Sequence, residues 1–142
     1  MRVLVIDDEP DVLLLCRVNL EFEGHSVLEA PDGERGFEIA VRERPDLIVL
    51  DVMLPLRDGF SILRSLQGNP ATREIPVVLL TAKAREEDQM RGWRTGADEY
   101  VTKPFSPVAL IEAVARVAAM SPLERRDRRR KTLAQLSLLG KL

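Results

Sequence analysis

Residues 46–51, Asp-Leu-Ile-Val-Leu-Asp, hold four consecutive aliphatic side chains with no polar residue among them, closed by an acid. A half-exposed strand alternates polar and apolar positions, so an unbroken run demands cover on both faces, as in a parallel sheet. Two further runs behave alike: residues 3–6 end in Asp7-Asp8-Glu9, and residues 76–80 end in Thr81-Ala82. Weaker strands are expected at 25–30 and 99–102, the second short and polar enough for a sheet edge. Helical patterns follow each strand: from Pro10 to a stop at Gly24, then 34–44, 60–67, 85–95 and 108–119. Strand–helix repeated five times with short connections predicts an α/β doubly wound parallel sheet with helices on both faces.

Parallel strands deliver the residues that follow them to one edge, and ligands of open α/β sheets bind at that carboxyl edge. The edge therefore gathers Asp7 and Asp8 from the first strand, Asp51 from the third, Thr81 from the fourth and Lys103 from the fifth. Two carboxylates at about 4 Å and an effective dielectric near 20 repel by roughly 4 kcal/mol. A hard divalent cation relieves that repulsion, and Mg²⁺ suits carboxylates, water and a phosphate oxygen best. The backbone carbonyl of Met53, just beyond Asp51, is a candidate further oxygen. With the cation in place an oxygen of Asp51 is a nucleophile toward phosphorus, giving an aspartyl phosphate. Lys103 and the Thr81 hydroxyl are placed to serve the transferring oxygens. The dinucleotide and P-loop phosphate fingerprints are absent from the sequence.

The residues Val5-Ile6-Asp7-Asp8-Glu9, Asp46 through Pro55, Asp58-Gly59, Leu80-Thr81-Ala82, Gly96-Ala97-Asp98-Glu99-Tyr100 and Lys103-Pro104-Phe105 occur in an order that resembles a bacterial two-component response-regulator receiver domain. The resemblance runs from residue 2 to about 119. It implies a flavodoxin-like sheet of order 2-1-3-4-5, and phosphorylation of Asp51 by a histidine kinase or phosphotransfer protein. It also implies Mg²⁺ held by Asp8, Asp51 and the Met53 carbonyl, with Asp7 acting through water. Thr81 and Tyr100 correspond to the family's switch pair, and the peptide bond before Pro104 is cis in the family. The surface expected to change on phosphorylation, and so to meet an output partner, spans residues 85–119. On this basis the chain is a phosphoacceptor switch that assists its own phosphorylation and dephosphorylation rather than a turnover enzyme. One departure is Leu56, where the family often has glycine; leucine tolerates positive φ poorly, so a differently shaped loop is expected there. Lys83 adds a cation two residues beyond Thr81.

Charge divides the chain. Residues 1–120 carry 14 Lys/Arg against 21 Asp/Glu, whereas residues 121–142 carry 7 against 2. The expected organisation is a phosphoacceptor domain over 1–120 and a basic helical extension over 121–142. Ser121-Pro122-Leu123-Glu124 has the form of a capping box with proline at the first helical position. Residues 124–131 are all charged, and Leu133, Leu136, Leu138, Leu139 and Leu142 make a weak apolar stripe after them. Three readings stand for this tail: a solvated helix, a docking or self-association helix, and a nucleic-acid contact. The last ranks lowest because no DNA-reading module accompanies the basic run. A second copy of the chain remains a candidate partner.

Trp93 is read either as an anchor for its helix or as an exposed ring at a partner surface. Cys16 is read as a core side chain, and His25 has no partners that would make it a catalyst or ligand. The lone cysteine, the lack of an apolar run near the roughly 18–20 residues that span a bilayer, and the lack of a secretory leader predict a cytoplasmic protein with no membrane partner. A competing enzyme reading is a haloacid-dehalogenase-like phosphatase. That family requires an aspartate two residues after its nucleophile and a threonine two further on, places held here by Met53 and Pro55.

Overall fold

The computed structural model describes residues 1–82 and 86–139, apart from the side chains of residues 86 and 87. The expectations for Lys83, for a helix start at Arg85 and for Leu142 lie outside the described residues. The strands are β1 (Arg2–Ile6), β2 (Ser26–Ala30), β3 (Leu47–Asp51), β4 (Val77–Thr81) and β5 (Glu99–Thr102). They form one parallel sheet of order β2-β1-β3-β4-β5, the expected order, with β5 at an edge. The helices are α1 (Pro10–Phe22), α2 (Gly33–Glu43), α3 (Gly59–Gly68), α4 (Glu86–Thr95), α5 (Pro107–Ala118) and α6 (Pro122–Leu139).

The aliphatic runs behave as two-sided strands. Every residue of β3 and β4 is buried, and successive side chains enter opposite layers. Leu4, Ile6, Ile48, Leu50 and Leu79 pack with Ala40 of α2 and Ile62, Leu63 and Leu66 of α3. Val3, Val5, Leu47, Val49, Val78 and Leu80 pack with Cys16 and Leu20 of α1 and with Leu110, Val114 and Val117 of α5. Helices thus cover both faces, and an apolar-only strand sequence is what that arrangement requires.

Local signals place the helix ends. Asp32 caps α2 by accepting the Arg35 N–H at 2.8 Å, and Asp58 caps α3 by accepting the Ser61 N–H at 2.9 Å. Ser106 caps α5, with Pro107 opening it. The capping box of α6 is formed in both directions: Glu124 N–H donates to Ser121 Oγ at 3.1 Å, and Ser121 N–H to Glu124 Oε1 at 3.2 Å.

One expectation changes and one open reading is settled. Leu56 does adopt left-handed backbone, with φ 68°, so the loop keeps the turn that a glycine would favour. A non-glycine residue pays about 1–2 kcal/mol for this. Arg57 holds the loop next to it, donating to Glu34 Oε1 at 2.6 Å, to Ser65 Oγ at 2.6 Å and to the Ser61 carbonyl at 3.2 Å. On α1, Leu14, Val18 and Phe22 lie outward, Phe22 at 88 % exposure. Trp93 resolves to the anchor reading, being only 6 % exposed.

The end of β3 is locked from beneath. Gly59 N–H donates to the Val52 carbonyl at 2.8 Å, and a Cβ on Gly59 would collide with the Asp51 carbonyl and sit 2.7 Å from Val52 Cα. Both obstacles are backbone, so no side-chain rotation relieves them. Gly59→Ala is expected to cost about 2 kcal/mol or more in urea denaturation. Acrylamide is expected to quench Trp93 fluorescence far less than it quenches free tryptophan.

Candidate functional site

The parallel register sets the site. Ile6 pairs with Leu50, so Asp7 and Asp51 stand level on adjacent strands. Asp51 pairs with Leu80, and Thr81 pairs with Thr102, which brings Thr81 and Lys103 one step further along the same edge. The Lys103 N–H donates to the Thr81 carbonyl at 2.7 Å, tying the end of β5 to the end of β4. The Lys103–Pro104 bond is cis, as the resemblance implied.

Lys103 is the electrostatic centre of the cluster. Its ammonium lies 2.9 Å from Asp7 Oδ2, 3.3 Å from Asp51 Oδ2 and 3.5 Å from Glu9 Oε1. Asp7 is fully buried and Asp51 is 2 % exposed, while Asp8 is exposed at the mouth. Burial raises the Asp7 pKa above the ordinary carboxylate range, against the hydrogen bond from Lys103. Burial, and then the neighbouring Asp7 charge, raises that of Asp51. Burial pushes Lys103 downward, but its hydrogen bond to Asp7 and the charges of Asp51, Asp7 and Glu9 outweigh that, and its pKa stands above the usual ammonium value. One ammonium against so many acids leaves the cluster short of positive charge.

Asp7, Asp8 and Asp51 each offer a carboxylate oxygen, and these oxygens lie within 4.8 Å of one another. That spacing and the deficit of cations fit a hard divalent ion. Met53 sits beside them: its N–H donates to Asp51 Oδ1 at 3.1 Å, which orients the carboxylate. Met53 also lines, with Asp8, Pro55, Asp58, Phe60 and Arg91, a cleft of about 460 Å³.

Thr81 is fully buried at the end of β4. Its side chain hydrogen-bonds the Tyr100 hydroxyl, and burial pushes that phenol up to about 12. The residues singled out in the sequence, Asp7, Asp8, Asp51, Met53, Thr81 and Lys103, therefore meet at one edge, with Tyr100 touching Thr81.

Two residues were missed. Glu9 reaches Lys103, a contact that the acidic run 7–9 already hinted at. Arg91 places its guanidinium 4.4 Å from the centre of the Phe60 ring at the mouth of the cleft. Nothing in the charged sequence of α4 distinguishes Arg91 from its neighbours.

A family model described as the response regulator receiver domain matches residues 3–115. The DNA-binding dual master transcriptional regulator RpaA of Synechocystis is 45 % identical over 127 residues, 89 % of this chain and 51 % of that protein. The chain spans about half the length of the curated relatives it matches. Among solved structures, the Vibrio cholerae chemotaxis protein CheY4 is 28 % identical with a TM-score of 0.78, covering 82 % of this chain and 97 % of that one. The receiver domain of the Pseudomonas aeruginosa sensor histidine kinase PA1611, which has a magnesium ion coordinated in its active site cleft, is 28 % identical with a TM-score of 0.77, covering 84 % of this chain and 98 % of that one. Sheet order, register at the carboxyl edge and a match over most of the sequence converge, and the chain belongs to the response regulator receiver domain family.

Proposed function

We propose that the chain is a phosphorylation-dependent switch of a two-component system, in which Asp51 accepts a phosphoryl group. The observation that carries this is the Lys103 ammonium held between Asp7 and Asp51, beside a three-carboxylate cluster spaced for a divalent cation. Residues 1–120 form the phosphoacceptor unit and residues 121–142 its extension.

An oxygen of Asp51 attacks phosphorus in line; the Asp51 O–P bond forms as the bond from phosphorus to the donor's leaving atom breaks. The Met53 N–H holds the other Asp51 oxygen and so fixes the face presented. Lys103, already within reach of Asp51, follows the charge onto a phosphoryl oxygen, and the Thr81 hydroxyl is one strand away for another. Asp8, Asp51 and the Met53 carbonyl would hold Mg²⁺, with Asp7 behind them acting through water. When bound, that ion would neutralise the carboxylates and draw charge from the phosphoryl oxygens. Thr81 and Tyr100 form the switch pair: a hydroxyl drawn toward the phosphoryl group changes its bond to Tyr100, and with it β5 and the surface of residues 85–119.

The donor is a histidine kinase or a phosphotransfer protein, and the altered surface meets an output partner or a second copy of the chain. Relatives that carry a longer polypeptide and are transcriptional regulators support an output element of that kind. Among the described residues no helix is long and apolar enough to cross a membrane, in keeping with work in the cytoplasm. Nucleic acid ranks lowest among the partners of this chain, since three arginines of the basic run are turned onto the domain. The chain changes state rather than turning over substrate.

Incubation with acetyl phosphate and Mg²⁺ is expected to add one phosphoryl group, mapped by mass spectrometry to Asp51. Addition is expected to stop with EDTA and with Asp51→Asn, whose far-ultraviolet circular dichroism should match the parent. Sustained hydrolysis of a generic phosphoester would instead favour a phosphatase. Lys103→Met is expected to slow labelling about a hundredfold or more, the cost of removing one aimed positive group.

A further inference from the structure

The basic run of α6 is not left to solvent. Arg125 is only 6 % exposed; it donates to the Glu74 carbonyl at 2.8 Å and to Asp98 Oδ2 at 3.3 Å. Arg128 donates to the Asp98 carbonyl and, at 2.8 Å, to Glu99 Oε2, and its guanidinium stands 5.4 Å from the centre of the Trp93 ring. Arg129 donates to the Gly96 carbonyl at 2.7 Å and lies 3.6 Å from Asp98 Oδ1. Three guanidinium forks thus close on an acidic notch made by residues 96–99 and walled by Trp93 of α4. Planar, multiply bonded arginine is suited to such a notch in a way that a lysine point charge is not.

The notch is part of the switch face. Glu99 uses Oε1 to accept the Tyr100 N–H at 3.1 Å and Oε2 to accept Arg116 and Arg128. Tyr100 in turn bonds Thr81. Trp93 follows Gly92, where a Cβ would sit 3.7 Å from the Tyr100 ring. Glu99 pairs with Val78 and Thr102 with Thr81, so notch and switch hydroxyl lie three residues, about 10 Å, apart along the paired strands β5 and β4. The α6 contacts are made with Asp51 unmodified. A change in β5 or α4 that follows modification acts directly on these contacts, because they are made with Glu99, Asp98 and Trp93 of those elements and their junction.

We propose that α6 is the chain's own ligand for the Asp98–Glu99–Trp93 notch and that its docking opposes modification of Asp51. Modification then loosens α6 and opens the notch to an arginine-bearing helix of an output partner. By reciprocity, loosening α6 strengthens binding of a phosphoryl analogue at Asp51. This rests on Asp51 being the phosphoacceptor, and the test separates the two claims.

Amide hydrogen exchange of residues 122–139 in the full chain is compared with and without Mg²⁺ and beryllofluoride, while acetyl phosphate labelling of Asp51 is followed separately by mass. The expected result is exchange at least about fivefold faster in α6 when the analogue is bound, at the same rate across a range of protein concentrations, and no response in Asp51→Asn. Arg128→Gln removes two hydrogen bonds and the Trp93 contact but leaves Arg116 at 2.9 Å to neutralise Glu99, so no buried acid is stranded. It is expected to melt cooperatively and to bind beryllofluoride about fivefold or more tightly than the parent by calorimetry. Asp51 labelled with α6 exchange unchanged or slowed, or Arg128→Gln binding the analogue no more tightly, would overturn the proposal and leave the phosphoacceptor reading standing. Exchange in α6 that varies with protein concentration would make a second copy the occupant and overturn it as well. Absence of labelling at Asp51 would overturn both.

Discussion

One ammonium shared between two buried carboxylates is the interaction on which the site depends. Asp7 and Asp51 are placed side by side by the pairing of β1 with β3, and both carboxylates are almost wholly buried. Burial of an unpaired carboxylate is costly enough that such groups ordinarily neutralise. Lys103 prevents this only because β5 runs parallel to β4 and ends one step beyond β3 at the same edge. The compensation is partial, since burial still raises both acids above their usual range. A site left short of positive charge is one that a divalent cation completes.

A second ionic cluster, at the opposite end of β5, obeys the same rule with the signs arranged differently. Asp98 is buried and accepts the Val77 N–H at 2.9 Å, and α6 delivers Arg125 and Arg129 to it. Burial raises the Asp98 pKa despite those cations, whereas hydrogen bonds from Tyr100, Arg116 and Arg128 outweigh burial at Glu99 and hold it low. The outward pairs of α6, Asp127 with Arg130 and with Lys131, are solvated and contribute little beyond helix propensity. Equal charges on one helix thus do different work according to which side they face. Removing both Arg125 and Arg129 would strand the buried charge of Asp98, whereas losing the outward pairs strands none.

What could be read in advance followed from patterns with a single physical solution. Aliphatic runs without alternation admit only two-sided burial, and polar residues directly after parallel strands admit only one edge. Asp7, Asp8, Asp51, Thr81 and Lys103 were therefore legible, as was the capping box at Ser121. Local chemistry misled where a distant partner intervened. Leu56 was expected to refuse a left-handed backbone, but Arg57 bonds to α2 and α3 beside it and the turn is kept. Trp93 could not be assigned because the sequence of α4 does not say what lies beneath it.

By itself the sequence determined the class of fold, the edge at which chemistry gathers and the residue types that gather there, because strand periodicity and strand ends are local properties of a chain. Only the tertiary structure decided which acids are buried, that Lys103 bridges Asp7 and Asp51, and that the arginines of α6 turn inward onto Asp98 and Glu99. Those outcomes depend on distances between segments far apart in the chain, and a run of basic residues reads the same whether water or a carboxylate waits across from it.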